Sequence, residues 1–310
     1  MPRQIFIDTD TASDDAVALM MAFKHAPDAL IGISIVAGNV PLEQGVQNAL
    51  FVREMYGAAT PVYAGAEKPL SRPLESAQHI HGQDGMADIG LDVAGRIADE
   101  GSGIDAIVDA ANSYEGNLEL VTLGPLTNVA RALQLDPAIA GKIRNCTIMG
   151  GASDGYGNVT PVSEFNIWAD PEAAEIVFAS DLPKTMVGWD ISRKFAVISD
   201  RDAESIRAIG TEAAGVAIDA QATVRDFCLG TSGLDGFDFP DPIAMAVALA
   251  DETIIESKPA AVTIVTNEGP TRGMAIVDDR GFSERAKSTR VVLRADRDRF
   301  LRLLKDALTD

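Results

Sequence analysis

Four carboxylates, Asp8, Asp10, Asp14 and Asp15, fall within eight residues in the segment Ile5-Phe6-Ile7-Asp8-Thr9-Asp10-Thr11-Ala12-Ser13-Asp14-Asp15. Like charges this close repel, so the segment calls for a compensating cation. Oxygen-only ligands favour a hard ion, calcium or magnesium, over zinc. The simpler alternative is a solvated acidic turn with Asp14 as a helix N-cap. Four acids exceed the needs of one cap, and the segment joins an apolar strand-like run to an apolar helix-like run. The carboxyl end of a strand is where α/β proteins place their sites.

Four further clusters follow where strands should end. Asn39 lies in Val36-Ala37-Gly38-Asn39-Val40, although Gly-Asn is also an ordinary turn dipeptide. In Thr122-Leu123-Gly124-Pro125-Leu126-Thr127-Asn128, Gly-Pro breaks a strand, and Thr127 or Asn128 could cap the next helix. The carbonyl freed at Leu123 could ligate a hard cation. The stretch 157–170 holds Asn158, Glu164, Phe165 and Asn166. Its amides and carboxylate suit a polyhydroxylated ligand, with Phe165 able to cover an apolar sugar face; a polar loop ahead of a helix with Pro171 in its first turn is the alternative. In Phe237-Asp238-Phe239-Pro240-Asp241-Pro242, Asp241 fits an N-cap with Pro242 after it, and also a metal ligand at a buried helix start.

The elements that must position these groups alternate. Strands are predicted at 4–8, 30–36, 118–123, 142–149, 185–187 and 260–265. Helices are predicted at 16–25, 42–56, 104–113, 126–133, 171–179, 211–229 and 242–250, with a final amphipathic helix at 296–308. This pattern argues for an α/β fold built of βαβ units around a mostly parallel sheet, in a single domain spanning 1–310. Residues 265–295 read as a small β appendage. The irregular stretches 65–92 and 230–240 read as lids or binding loops.

A formal charge of −20 argues against nucleic acid or an anionic membrane as partner. No apolar run is long enough to span a bilayer, and the acidic loop arrives too early for a signal-peptide core. Two cysteines, Cys146 and Cys228, suit a reduced cytoplasmic protein, a lone disulfide being the alternative.

The order and spacing of these motifs resemble the inosine-uridine-type nucleoside hydrolases, calcium-dependent N-ribohydrolases with an open Rossmann-like fold. The resemblance runs from the acidic loop through Asn39, His81-Gly82-Gln83-Asp84-Gly85, Gly124–Asn128, Met149-Gly150-Gly151 and Glu164-Phe165-Asn166 to Thr271-Arg272-Gly273-Met274. It implies a ribonucleoside substrate and Ca2+ held by Asp10, Asp15, Asp241 and the main-chain oxygen of Leu123. Asp10 would also take a proton from the attacking water. Asp14, Asn39, Asn158, Glu164 and Asn166 would hold the ribose, and Asp8 has no direct role. The resemblance also implies a homodimer or homotetramer.

The chain departs from the family at one telling place. The residue before the last calcium aspartate, a histidine in one branch and a tryptophan in another, is Pro240, which can neither protonate nor stack on a leaving base. His81 is then the expected proton donor, with His79 beside it; Arg193 and Arg225 could approach the base, and Phe237 and Phe239 lie close in sequence. Two other readings compete: a ribosyl-binding protein without base release, and a haloacid-dehalogenase-type phosphatase in which Asp8 of Asp8-Thr9-Asp10-Thr11 is a nucleophile.

Overall fold

The run Ile5-Phe6-Ile7 is buried in a central strand, as expected of a parallel strand covered on both faces. The computed structural model describes residues 3–309, the side chains of residues 231–232 aside. The strands are β1 (Gln4–Thr9), β2 (Leu30–Ile35), β3 (Val62–Ala64), β4 (Asp99–Ser102), β5 (Leu118–Thr122), β6 (Ile143–Met149), β7 (Lys184–Val187), β8 (Val197–Ile198), β9 (Phe237–Asp238), β10 (Ile254–Ile264), β11 (Ala275–Asp278) and β12 (Thr289–Ala295). Ten form one sheet in the order β11-β10-β12-β7-β6-β5-β1-β2-β3-β4, and β8 pairs with β9 separately.

Every pair from β12 through β4 is parallel, while β10 runs antiparallel to β12 and β11. The chain winds outward from β1 through β2 to β4, then returns to β5 on the other side of β1. That reversal leaves a crevice at the carboxyl ends of β1 and β5, the place where open α/β sheets hold ligands. One face is covered by helices that include Ser13–His25, Leu42–Met55, Pro240–Leu249 and Arg297–Ala307, the other by Gly103–Ser113, Thr127–Leu135 and Pro171–Ala179. No helix among the described residues is long and apolar enough to cross a membrane.

Several expectations are corrected. Residues 265–295 are no appendage: β12 joins the main sheet beside β7 (Thr289 opposite Lys184), and β10, which starts at Ile254, and β11 extend it. The first half of β10 is largely exposed and carries Glu256, Ser257, Lys258 and Pro259, so it lacks the apolar run that marks the central strands. The predicted helix 211–229 is two, Glu212–Asp219 and Ala222–Phe227, with Gln221 between them. The irregular stretches contain the short helix Gln78–His81 and strand β9.

Candidate active site

Asp14 and Asp241 are not N-caps. Ala12 precedes the helix Ser13–His25, which places Asp14 and Asp15 in its first turn. Phe239 precedes the helix Pro240–Leu249, which places Asp241 inside it. Asp14 and Asp241 are therefore not spent on closing their helices, whereas Asp15 Oδ2 accepts the Ala12 N–H at the helix start. Thr127 and Asn128 are not caps either. Thr127 Oγ1 donates to Asp170 Oδ2 at 2.7 Å, and Asn128 Nδ2 donates to Asp8 Oδ1 at 2.8 Å and to the Ile35 carbonyl at 3.1 Å.

Carboxylate oxygens of Asp14, Asp15 and Asp241, all buried, lie within 4.8 Å of one another. Asp10 stands beside this trio, close enough to couple electrostatically to Asp15 and Asp14. Its Oδ2 accepts the N–H of Asn39 at 2.5 Å; its Oδ1, like Asp14 Oδ1, is buried without a partner among the described residues. Asp15 accepts from Thr9 Oγ1 at 2.5 Å and from the N–H of Ala12 at 2.9 Å. Burial and the neighbouring carboxylates push Asp15 up to about 7 and raise Asp10 and Asp241 well above the usual range. Repelling, desolvated, oxygen-only donors with orphaned lone pairs fit a hard divalent cation.

Two glycines make room for this. A Cβ on Gly38 would strike the Asp10 carboxylate, and one on Gly124 would come within 2.7 Å of Asp10 Oδ1. Thr11 is held at φ +31°, a left-handed backbone costly for a threonine, and Asn48 Nδ2 pins its carbonyl at 2.9 Å.

Above the carboxylates opens a cavity of about 770 Å³ including its mouth. Asp14, Asn39, His81, Leu123, Asn158, Glu164, Phe165, Asn166 and Asp241 all line it, residues drawn from segments more than 200 positions apart. Glu164 caps the short helix Phe165–Ala169 through Asn166 N–H at 2.8 Å and also accepts from Gly151 N–H at 2.8 Å; burial pushes it up to about 7. Asn166 Nδ2 donates to the Leu123 carbonyl at 2.7 Å, leaving that oxygen its second lone pair. Asn158 Oδ1 accepts the Phe165 N–H at 2.9 Å, and its amide nitrogen remains for a ligand. The Thr271–Met274 motif works from behind: Arg272 stacks on Trp168 at 3.9 Å, and Ser163 Oγ donates to its carbonyl at 2.5 Å.

The far end of the cavity was not legible in the sequence. Ile80, Trp189, Val224 and Phe227 line it with Asp238 and Pro240. Phe237 and Phe239 point the other way, into the core, as an edge-to-face pair 5.1 Å apart. Within β9, Phe237 and Asp238 take opposite faces, as successive residues of a strand do. Arg193 does not reach into the cavity; it stacks on Trp189 at 4.5 Å and pairs with Asp154 at 3.0 Å. Arg225 pairs with Asp200 outside it, and His79 is exposed. Asp8 is buried, hydrogen-bonded to Ser34 and Asn128, and does not line the cavity, which gives no support to a nucleophilic role there. Cys146 and Cys228, both buried, are not joined in a disulfide.

A switch-point crevice with a carboxylate floor and amide-rich walls suits a hard cation and a polyhydroxylated ligand. The chain belongs to the inosine-uridine preferring nucleoside hydrolase family, whose model matches residues 5–302. It is a hydrolase that splits ribonucleosides into base and ribose. It is 35% identical to the pyrimidine-specific ribonucleoside hydrolase RihB of Escherichia coli over 310 residues, 99% of this chain and 97% of that one. Its fold matches a plant nucleoside hydrolase, PpNRh1, with a TM-score of 0.93 at 28% identity, covering 100% of this chain and 99% of that one. A purine-preferring ribonucleoside hydrolase from Gardnerella vaginalis matches with a TM-score of 0.90 at 32% identity, covering 99% and 98%.

Proposed function

We propose that this enzyme cuts the N-glycosidic bond with Ca2+ held by Asp10, Asp15, Asp241 and the Leu123 carbonyl, with Asp10 as general base and His81 as proton donor to the leaving base. The carrying observation is the convergence of buried carboxylates on the floor of a cavity whose walls are amides and a carboxylate. Calcium bound there would grip the 2′- and 3′-hydroxyls and lower the pKa of the attacking water.

Asp10 receives the proton from that water through its unpartnered Oδ1. Asp14, Asn39, Asn158, Glu164 and Asn166 orient the ribose, and Phe165 covers its apolar face. As the bond to C1′ breaks, positive charge builds on the ribosyl ring, and the surrounding carboxylates stabilise it. At the other end His81, whose Nδ1 contacts Ser13 at 3.1 Å, gives its Nε2 proton to the departing base between Ile80, Trp189 and Phe227. Relatives of comparable similarity carry opposite base preferences in their names, so the aromatic end of the cavity, not overall likeness, sets which base leaves. We take the chain to act as one domain in the cytoplasm, as a homodimer or homotetramer; the ten-stranded sheet, which joins β1 to β12, and the two cysteines, not joined in a disulfide, support the first two.

A reducing-sugar assay across purine and pyrimidine ribonucleosides, with and without a calcium chelator, tests this. Ribose release that stops on chelation and returns with calcium is expected. A protein that binds nucleosides but frees no ribose from any of them would instead be the ribosyl-binding protein considered above.

A further inference from the structure

Ser13 and Gln221 extend from His81 as a chain of side chains, and neither of the two has a part in the cleavage step itself. Ser13 Oγ lies 3.0 Å from Gln221 Oε1 and 3.1 Å from His81 Nδ1. Ser13 and Gln221 are buried, at 0% and 1% exposure. The Gln221 amide nitrogen is buried without a partner among the described residues, a cost that an apolar side chain at this helix junction would not incur. The three residues come from three segments: the first turn of the helix carrying Asp14 and Asp15, the junction ahead of the helix carrying Val224 and Phe227, and the end of the helix Gln78–His81.

A hydroxyl owns one hydrogen. Ser13 gives it to Gln221 Oε1, so Ser13 Oγ meets His81 Nδ1 as an acceptor, and Nδ1 must carry a hydrogen. Nε2, with no protein partner among the described residues, is then the nitrogen left to exchange a proton. We propose that Ser13 and Gln221 are positioning residues that hold the hydrogen on His81 Nδ1 and aim Nε2 at the leaving base. This rests on the reading of His81 as proton donor. In the step itself the Nε2–H bond of the imidazolium breaks and its proton goes to a ring nitrogen of the base. The base keeps the electron pair of the broken C1′–N bond. The ring is left neutral with its hydrogen still on Nδ1, so the bonds to Ser13 and Gln221 never have to be remade.

The opposite arrangement is physically distinct. A Gln221 amide turned over would donate to Ser13, Ser13 would donate to Nδ1, and the neutral ring would carry its hydrogen on Nε2. The tautomer therefore decides. Full-length protein labelled with 15N-histidine in calcium buffer has only three histidines to resolve, and the His81 signals are those missing from a His81→Gln variant. At pH 8, with burial favouring the neutral ring, the expected spectrum shows hydrogen on Nδ1. Hydrogen on Nε2 overturns the proposal.

Kinetics supply the second arm. Ser13→Ala and Gln221→Met should lower kcat on nucleosides by about tenfold or more, a fraction of what general-acid catalysis provides. Both should leave the hydrolysis of p-nitrophenyl riboside, whose phenolate needs no proton, near its original rate, and Ser13→Thr should restore nucleoside turnover. Full turnover in both variants beside an impaired His81→Ala overturns the network alone. Full turnover in His81→Ala removes the donor assignment itself, and the network's catalytic role with it.

Discussion

In the proposed mechanism two roles meet on Asp10, which neighbours Asp14 and Asp15 and keeps one buried oxygen without a partner among the described residues. Its Asn39 partner holds the other oxygen, so Oδ1 is the one left to accept a proton. Asp10→Asn keeps the shape and removes the basicity. We expect kcat to fall by about a hundred- to ten-thousand-fold, the usual worth of a general base, with the melting temperature in calcium shifted little. A variant within a few-fold of the parent would rule Asp10 out as base. The ribose end makes a separate prediction. Amides and carboxylates placed for each hydroxyl are left unpaired when one is missing, so 2′-deoxynucleosides should be worse substrates by about ten-thousand-fold in kcat/KM. Comparable turnover of a ribonucleoside and its 2′-deoxy analogue would contradict the assignment of Asp14, Asn39 and Asn166 to the sugar.

At the scale of elements, the helix Pro240–Leu249 carries Asp241 into the site, and its entry is fixed by aromatic packing rather than by a capping side chain. Phe237 and Phe239 anchor the chain on one side of β9 while Asp238 and Pro240 face the cavity on the other. Phe239→Ala should cost about 3–5 kcal/mol of stability through the void it leaves, and should also weaken calcium binding by loosening the helix start. Chemical denaturation and a calcium titration read the two effects; a destabilised variant with parental calcium affinity would separate Asp241 from this anchor. Gly124 contributes by what it lacks. Gly124→Ala drives a methyl against Asp10, and activity should drop further than stability does.

Across the whole molecule, buried acids tie stability to pH and to the cation. Burial pushes Asp8, Asp15 and Glu164 up to about 7 from the ordinary carboxyl range of about 4, so between those limits the folded chain holds protons that the unfolded chain has lost. Stability of this kind is complete below the unfolded pKa and is lost as pH rises through the folded one. The depressed carboxyls, Asp88, Asp154, Asp202, Asp278 and Asp279, act in the opposite direction but only below about pH 4. In chelator, the melting temperature should therefore fall from pH 5 to pH 8, and the gain on adding calcium should widen over the same span, because the ion binds carboxylates without their protons. A melting temperature in chelator that climbs steadily across that range would contradict the burial-driven shifts.

Much of this was legible in the sequence because strand-end polar residues in an alternating β/α pattern have few reasons to exist other than a site. The acidic loop, the 158–166 cluster and Asp241 stand out by their types and the breaks around them, Asn39 and Leu123 only through the family resemblance, and the parallel sheet through apolar periodicity. What the sequence left open depended on partners distant in the chain. A capping aspartate and a ligating one look alike in sequence; only the observed helix starts at Ser13 and Pro240 released Asp14 and Asp241 from capping. The aromatic wall of Trp189 and Phe227 and the Ser13–His81–Gln221 chain bring together residues that no local pattern relates. Local composition thus determined which groups could do chemistry. Packing of the two sheet faces decided which of them meet, because burial and alternation, not residue type, choose the direction in which each side chain points.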